Sequence, residues 1–438
     1  MNIPTNRFRS LNRAMLLLPC LLVLCLSTPL LAQEEKPLTL AEAIRLGLEN
    51  NYGIQIKKKS TQAASVRNSW SMAGAIPTFT LDGSVNGSRE IVSDVNTGTL
   101  SATAKIEWKL FDGFNIQASK DLFANQEEEA KGSEMMQVES TIQSIINSYY
   151  FVLLQQKMLK TSQTVMDISA DRLLQQQTAK DVGASGTYEY ILAENYYLND
   201  KNTYLKQKMI LREALRSLNL LLSLPIETRW TLTDEISIPQ HEYQIEQMKQ
   251  LLLSDNRTLK NQYINLRAKE IEIKKQRSHY FPSIDLSASF NVLANDNNIS
   301  ESTHSFRPRI ELSISYTLFN GGRTRRNVNI ARINKEMEQI ATEEMELSLE
   351  KELMKQYDEY LLQSDLVAIN KEQVRIAKII LDLSAERLKS GVINSFNYRE
   401  TQINYLRSAT TLQSSTFNLI ATNIELLRLT GGILSFEQ

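Results

Sequence analysis

The sequence predicts an internally duplicated α+β membrane chain, with four amphipathic β-strands joined to long antiparallel coiled-coil α-helices. Three observations predict it. The chain matches itself at an offset of 205 to 208 residues. Four short runs alternate apolar and polar side chains. Two stretches of nearly seventy residues, 114–181 and 322–389, contain no proline.

The duplication comes first because it organises the rest. Asn51 matches Asn256 and Pro77 matches Pro282 at offset 205. Leu110-Phe111 matches Leu318-Phe319, Tyr149 matches Tyr357, Gly183 matches Gly391 and Leu218 matches Leu426 at offset 208. The two copies therefore differ in length only between Pro77 and Leu110. This divides the chain into a first repeat at 33–224, a connecting segment at 225–240, a second repeat at 241–430 and a tail at 431–438. Each repeat begins with a helical segment, 39–74 or 241–279. A strand hairpin follows, at 77–111 or 282–319, and then a helical hairpin, at 114–224 or 322–430. Residues 1–32 have the form of an export signal. Arg7, Arg9 and Arg13 precede an apolar run from Met15 to Leu26, and Ala32 is the expected last residue before cleavage. Both cysteines, Cys20 and Cys25, lie in that segment, so the mature chain carries no thiol.

The strand runs follow a period of two, which puts alternate side chains on opposite faces of a sheet. Phe79, Leu81 and Val85 alternate with Asp82, Ser84 and Asn86. Leu100, Ala102, Ala104, Ile106, Trp108 and Leu110 alternate with Ser101, Thr103, Lys105, Glu107 and Lys109. Ile284, Leu286, Ala288, Phe290 and Val292 repeat the pattern, as do Ile310, Leu312, Ile314, Tyr316 and Leu318. Each run matches the roughly 9–11 residues of a tilted membrane strand. After the signal no stretch is apolar enough for a membrane helix, so a membrane span must use these strands. Four strands fall short of the roughly eight of the smallest closed barrels, so copies must combine. Three copies give twelve strands and two give eight, and strand arithmetic leaves both open.

The long helices carry a narrow stripe at the 3.5-residue coiled-coil spacing. Val138, Ile142, Ile145, Tyr149 and Val152 form one example, and Val374, Ala377, Leu381, Ser384 and Leu388 another. Polar flanks fit a single-layer wall of helices, and periodicity alone fits a solid bundle equally. Each hairpin turns at a glycine, Gly183 or Gly391, with Thr187 and Ser395 expected as N-caps of the returning helices.

With 49 basic and 50 acidic residues, there is no cationic excess for nucleic acid. His241, His279 and His304 are scattered without ligand spacing, and no phosphate loop or nucleophile motif occurs. The expectation is therefore no enzyme, no metal and no cofactor.

The doubled order, the junctions Leu110-Phe111-Asp112-Gly113 and Leu318-Phe319-Asn320-Gly321-Gly322, and the turns at Gly183 and Gly391 resemble the TolC family of outer-membrane efflux and secretion channels. The resemblance covers nearly all of the mature chain. It implies a homotrimer with a twelve-stranded barrel in the outer membrane of a Gram-negative bacterium. It also implies a helical α-barrel reaching into the periplasm. The implied partners are outer-membrane lipid, a periplasmic adaptor protein and an inner-membrane pump of RND, MFS or ABC type. By the same resemblance Val182, Gly183, Ala184, Ser390, Gly391 and Val392 are adaptor-contact tips, and Glu189, Asn397 and Glu400 are periplasmic gate positions. The chain departs from the family's double acidic ring, because Asn397 is neutral. It also lacks the lock of some members, with Ile393 and Leu388 where those carry Arg and Tyr. Glu189 and Glu400 also suit plain charge complementarity near a helix N-terminus. A periplasmic coiled-coil spacer or adhesin is the alternative reading.

Overall fold

The computed structural model describes residues 36–90, 95–236, 242–297 and 303–435. The export segment with Cys20 and Cys25 and the whole stretch 237–241, which includes His241, lie outside the described residues, as do 436–438.

The duplication governs the element order. After a short strand, β1 (Lys36–Leu38), the first repeat runs α1 (Leu40–Asn50), α2 (Tyr52–Arg67), β2 (Thr78–Glu90), β3 (Val95–Asp112), α3 (Asn115–Asp181) and α4 (Thr187–Leu221). After β4 (Trp230–Leu232) the second repeat runs α5 (Ile245–Asp255), α6 (Arg257–Ser278), β5 (Ser283–Asn297), β6 (Thr303–Ser315), α7 (Arg323–Lys389) and α8 (Ser395–Leu429). Both long helices have 67 residues and both returning helices have 35. At 1.5 Å per residue the long ones span about 100 Å.

Two expected single helices are broken. The segments at 39–74 and 241–279 each divide at an asparagine, Asn51 or Asn256, and the first ends at Arg67. The asparagine leaves helical geometry because its side chain has two better uses. Asn51 Oδ1 accepts from the Ile54 amide at 3.2 Å, and its Nδ2 donates to the Leu221 carbonyl at 2.9 Å. Asn256 repeats this with Leu259 at 3.0 Å and Leu429 at 3.0 Å. Each asparagine thus caps one helix and ties it to the end of the repeat's last helix.

The strands form one antiparallel sheet in the order β2-β3-β5-β6. They have 13, 18, 15 and 13 residues, longer than the minimal membrane span. Two details differ from strict alternation. Leu110 is the extra residue of a bulge between Lys109 and Phe111, so Phe111 pairs with Ile284. β6 ends at Ser315, leaving Tyr316 and Leu318 outside the strand. Its ladder stops where Ser315 meets Ser283, because the next residue of β5 would be Pro282, which has no amide hydrogen to give.

Strand passes to helix through two consecutive residues in the left-handed region, Gly113-Phe114 (φ 68° and 70°) and Gly321-Gly322 (φ 68° and 75°). Asp112 Oδ1 accepts from the Ile116 amide at 3.1 Å, and Asn320 Oδ1 from the Thr324 amide at 3.4 Å. The junction motif is therefore a cap followed by a sharp redirection. A Cβ on Gly113 would lie 2.2 Å from the Ser278 carbonyl oxygen.

The core sits at the waist, midway along α3 and α7. Ile145, Tyr149, Leu218, Leu222 and Leu38 are fully buried there. Leu353, Tyr360, Leu419 and Leu426 form the second repeat's counterpart. The connecting segment contributes β4, which pairs in parallel with β1, and Asp234. The Asp234 carboxylate accepts from Tyr149 Oη at 2.8 Å and from the Leu40 amide at 2.6 Å. Ile433 from the tail is buried in the first repeat's core, so the tail ties the end of the second repeat to the first. Glu139 joins the repeats electrostatically. It is buried on α3, with Arg257 Nε at 3.3 Å, and burial pushes its carboxyl pKa up despite that arginine.

Gly113→Ala is expected to destabilise the protein well beyond the ~1 kcal/mol of Gly183→Ala, since it adds a backbone collision to a left-handed φ. Paired thermal melts would measure the difference. A raised carboxyl pKa makes the Glu139 contribution present at low pH and lost as pH rises through the folded value. Between about pH 7 and pH 5 the wild-type melting temperature should therefore gain on that of Glu139→Gln. A flat difference would show that the Glu139 carboxyl titrates alike folded and unfolded.

Candidate functional site

The register of the sheet sorts its side chains into rows. Phe79, Ile106, Ala288 and Ile310 are cross-strand neighbours through all four strands, and so are Leu81, Ala104, Phe290 and Pro308. Trp108, Leu286 and Leu312 extend this apolar face toward the helices. On the opposite face run Thr80, Lys105, Ser289 and Arg309, and beside them Thr78, Glu107, Ser287 and Glu311. The apolar face is uncovered: Leu81 is 75% exposed and Ile310 80%. Among the described residues no helix packs along either face. A sheet with one bare apolar face and one charged face has the polarity of a barrel wall between lipid and a wet lumen. Among the described residues no helix is long and apolar enough to cross a membrane.

The edges carry a second constraint. Among the described residues β2 and β6 each lack a neighbour on their outer side. The helices end in the same way. Near the strands they pack in the order α2-α3-α6-α7, and toward the turns in the order α4-α3-α8-α7. One flank is thus β2, α2 and α4, and the other is β6 and α7. Both flanks expose apolar residues at heptad spacing. α7 shows Ile333, Met337, Ile340, Leu347, Met354 and Leu361, and α4 shows Ile191, Leu198, Leu205 and Met209. Two unlike flanks, each with a seam and a strand edge to satisfy, define a head-to-tail contact, which forms a ring if the rotation closes. The sequence stripe singled out the internal seams, and these outer seams went unremarked. Both types share the same heptad spacing, so only the packing separates them.

The helical tips are near copies of one another. Gly183 and Gly391 take left-handed φ of 74° and 72°. The Ala184 amide donates to the Ala179 carbonyl at 2.7 Å, and Val392 to Arg387 at 2.9 Å, which closes both helix ends. The N-caps of the returning helices are Gly186 and Asn394, one residue before the expected Thr187 and Ser395. In the second tip Asn394 Oδ1 takes the Asn397 amide at 2.9 Å, leaving the Ser395 hydroxyl free to accept from Arg172 Nη2 at 3.0 Å. Val182 (74%) and Val392 (67%) are exposed, as are Gly183, Ala184, Ser390 and Gly391. Tyr188 and Phe396, one repeat apart, are exposed beside them. That aromatic pair was available from the 208-residue offset and was not singled out.

Of the expected gate positions, Glu189 is half-buried, and its charge acts on Arg172. Asn397 and Glu400 are exposed on the first turns of α8. Arg172 gathers groups from both tips: Ser395 bonds it, Glu189 and Tyr398 act on it through space, and burial lowers its pKa. A stronger tie lies farther from the tips. Arg399 on α8 forms a two-pronged ion pair with Asp200 on α4, at 2.6 and 2.7 Å, and sits over the Tyr196 ring. The Asp200 side chain is only 4% exposed. Sequence reading missed this pair because its members lie 199 residues apart and share no motif.

Residues 248–432 match the family described as outer membrane efflux protein. That part of the chain is thus similar to the outer-membrane efflux channels. The match falls almost wholly on the second repeat. The probable efflux pump outer membrane protein TtgC of Pseudomonas putida is 20% identical over 415 residues, covering 90% of this chain and 83% of the relative. The Campylobacter jejuni CmeC outer membrane channel superposes with a TM-score of 0.74 at 14% identity, covering 90% of this chain and 86% of that one. The open state of the Neisseria gonorrhoeae MtrE outer membrane channel gives 0.68 at 15% identity, covering 90% and 89%. Over 90% of its length the chain therefore shares the fold of these outer membrane channels.

Asp200→Ala leaves Arg399 half-sequestered without its counter-charge and is expected to cost about 3 kcal/mol. Replacing both residues with apolar ones of similar volume should recover much of that loss. A thermal-melt double-mutant cycle measures the coupling.

Proposed function

We propose that three copies of the chain close a twelve-stranded barrel and serve as the passive exit duct of a tripartite efflux pump. The supporting observation is the sheet, with continuous apolar rows on one face, charged rows on the other and an unpaired strand at each edge. In lipid, free edges leave backbone groups unpaired at several kcal/mol each, so β6 of one copy must meet β2 of the next. The outer seam of α7 then meets α2 and the outer seam of α4 in the neighbouring copy, and the helices close into a second barrel. A free coiled-coil spacer or adhesin would leave both the apolar sheet face and these seams in water, which disfavours that alternative.

On this reading the tips at Val182, Gly183, Ala184, Ser390, Gly391 and Val392 meet a periplasmic adaptor, with Tyr188 and Phe396 as its apolar anchors. The adaptor links the duct to an inner-membrane pump of RND, MFS or ABC type. Glu189, Asn397 and Glu400 line the narrow end. One acid per copy at the second tip gives a single ring of three carboxylates, a weaker cation filter than a double ring.

The native mass in mild detergent should be three times that of the mature chain. A detergent-free monomer would overturn the duct. Leu81→Arg, on the lipid face, should cost roughly 2–4 kcal/mol and reduce insertion into vesicles, while Thr80→Arg on the lumen face should insert normally. In a planar bilayer, Glu400→Ala should reduce cation preference, and equal selectivity in both proteins would remove Glu400 from the gate.

A further inference from the structure

The first ten residues of α7 carry four arginines: Arg323, Arg325, Arg326 and Arg332. The first repeat has nothing comparable, with Gln117 and Ala124 in place of Arg325 and Arg332. The duplication therefore does not account for them, and the helix's surroundings show where they point. Arg323 and Asn327 line a polar hollow together with Lys109, Ser283 and Ser315 of the charged sheet face, so this side of α7 looks into the lumen. Thr324, Val328 and Ala331 are buried toward α6. Ile330, Ile333 and Met337 mark the free flank that meets the next copy. At about 100° per residue, only the side opposite the lumen remains for Arg325 and Arg332, which lie seven residues apart on one face.

That side continues the apolar face of the sheet. Trp108, whose indole Nε1 donates to the Ala75 carbonyl at 2.9 Å, and the exposed Tyr316 and Leu318 mark the helical end of the apolar band. Amphipathic aromatics of this kind mark a membrane boundary. Arg325 lies within the first turn of α7, and Arg332 roughly 10 Å farther along, within reach of a headgroup layer about 5–7 Å deep for a long side chain that can fold back. Both are exposed, and neither makes an ion pair or hydrogen bond among the described residues. The first acid on the same face, Glu336, comes four residues later.

We propose that Arg325 and Arg332 seat the phosphate groups of anionic phospholipids in the leaflet nearest the helices, at one site per copy. Arginine forks match phosphate oxygens, and two on one face grip a headgroup that the aromatic boundary holds at the right depth. The proposal rests on the barrel reading above and adds to it a lipid class and a location confined to the second repeat.

The test is a native mass-spectrometric titration of the full-length trimer with phosphatidylglycerol and with phosphatidylethanolamine, alongside planar-bilayer conductance. Wild type should bind phosphatidylglycerol at least about tenfold more tightly than phosphatidylethanolamine. Arg325→Gln with Arg332→Gln should weaken phosphatidylglycerol about thirtyfold while trimer and conductance persist. The double lysine variant keeps the charge but loses the fork, so its affinity should fall between wild type and the double glutamine variant, and Arg323→Gln, on the lumen side, should change nothing. Equal binding of both lipids by wild type, or unchanged affinity in the double glutamine variant, overturns the seat. Dissociation of the trimer by that variant also overturns it, placing the arginines between copies instead. Lipid preference without conductance would count against the duct and leave the seat standing.

Discussion

Among the described residues no strand pairs with the outer edge of β2 or of β6, while the sheet between them presents a continuous apolar face. Water can satisfy such edges but not the apolar face, and lipid does the reverse. Only closure against further copies satisfies both. Closure also requires the two flanks to be complementary over the length of the molecule. The outer heptad seams of α7 and α4 extend the same requirement about 100 Å beyond the strands. One constraint at the sheet edge thus dictates the shape of the helical part.

Duplication lets one chain carry much of this closure itself. Two copies of strand hairpin plus helical hairpin lie side by side, and β3 to β5 is already a contact of the kind β6 must make with the next β2. The equivalence is not strict. Asn51 and Asn256 keep the same double role in both repeats, as do the turns at Gly183 and Gly391. The repeats diverge where each faces something different: Gly322 stands where the first repeat has Phe114, and arginines appear at the start of α7 alone. The tail residue Ile433 and the β1–β4 pair belong to neither repeat's internal pattern. They lock the two together at the waist, where Tyr149 and Asp234 supply the polar fastening.

The tips combine an invariant shape with variable chemistry. Closing each helix needs only a left-handed residue and two backbone hydrogen bonds, which glycine supplies. The groups that hold the tips together come instead from the helix flanks. Arg172 draws in Ser395, Tyr398 and Glu189, and Arg399 clasps Asp200. These are largely buried, charge-assisted contacts in a helical wall that is otherwise polar and loosely seamed, so they bear heavily on how rigid the tip end is.

By itself, the sequence determined the duplication, the four strands with their two faces, the long helices, the turning glycines and the need for partners. Each of these follows from local periodicity or from the conformational demands of single residues, which a linear pattern records. The tertiary structure alone decided the breaks at Asn51 and Asn256, the bulge at Leu110, the early end of β6 and the caps at Gly186 and Asn394. At Asn51, Asn256 and Ser395 a contact from a distant part of the chain outweighed the local preference. It also decided which apolar stripes face inward and which await another copy, since both have the same spacing. The Arg399–Asp200 clasp and the outward face of Arg325 and Arg332 were illegible for the same reason. A charge on a helix reads as a solvated surface until the packing shows what stands opposite it.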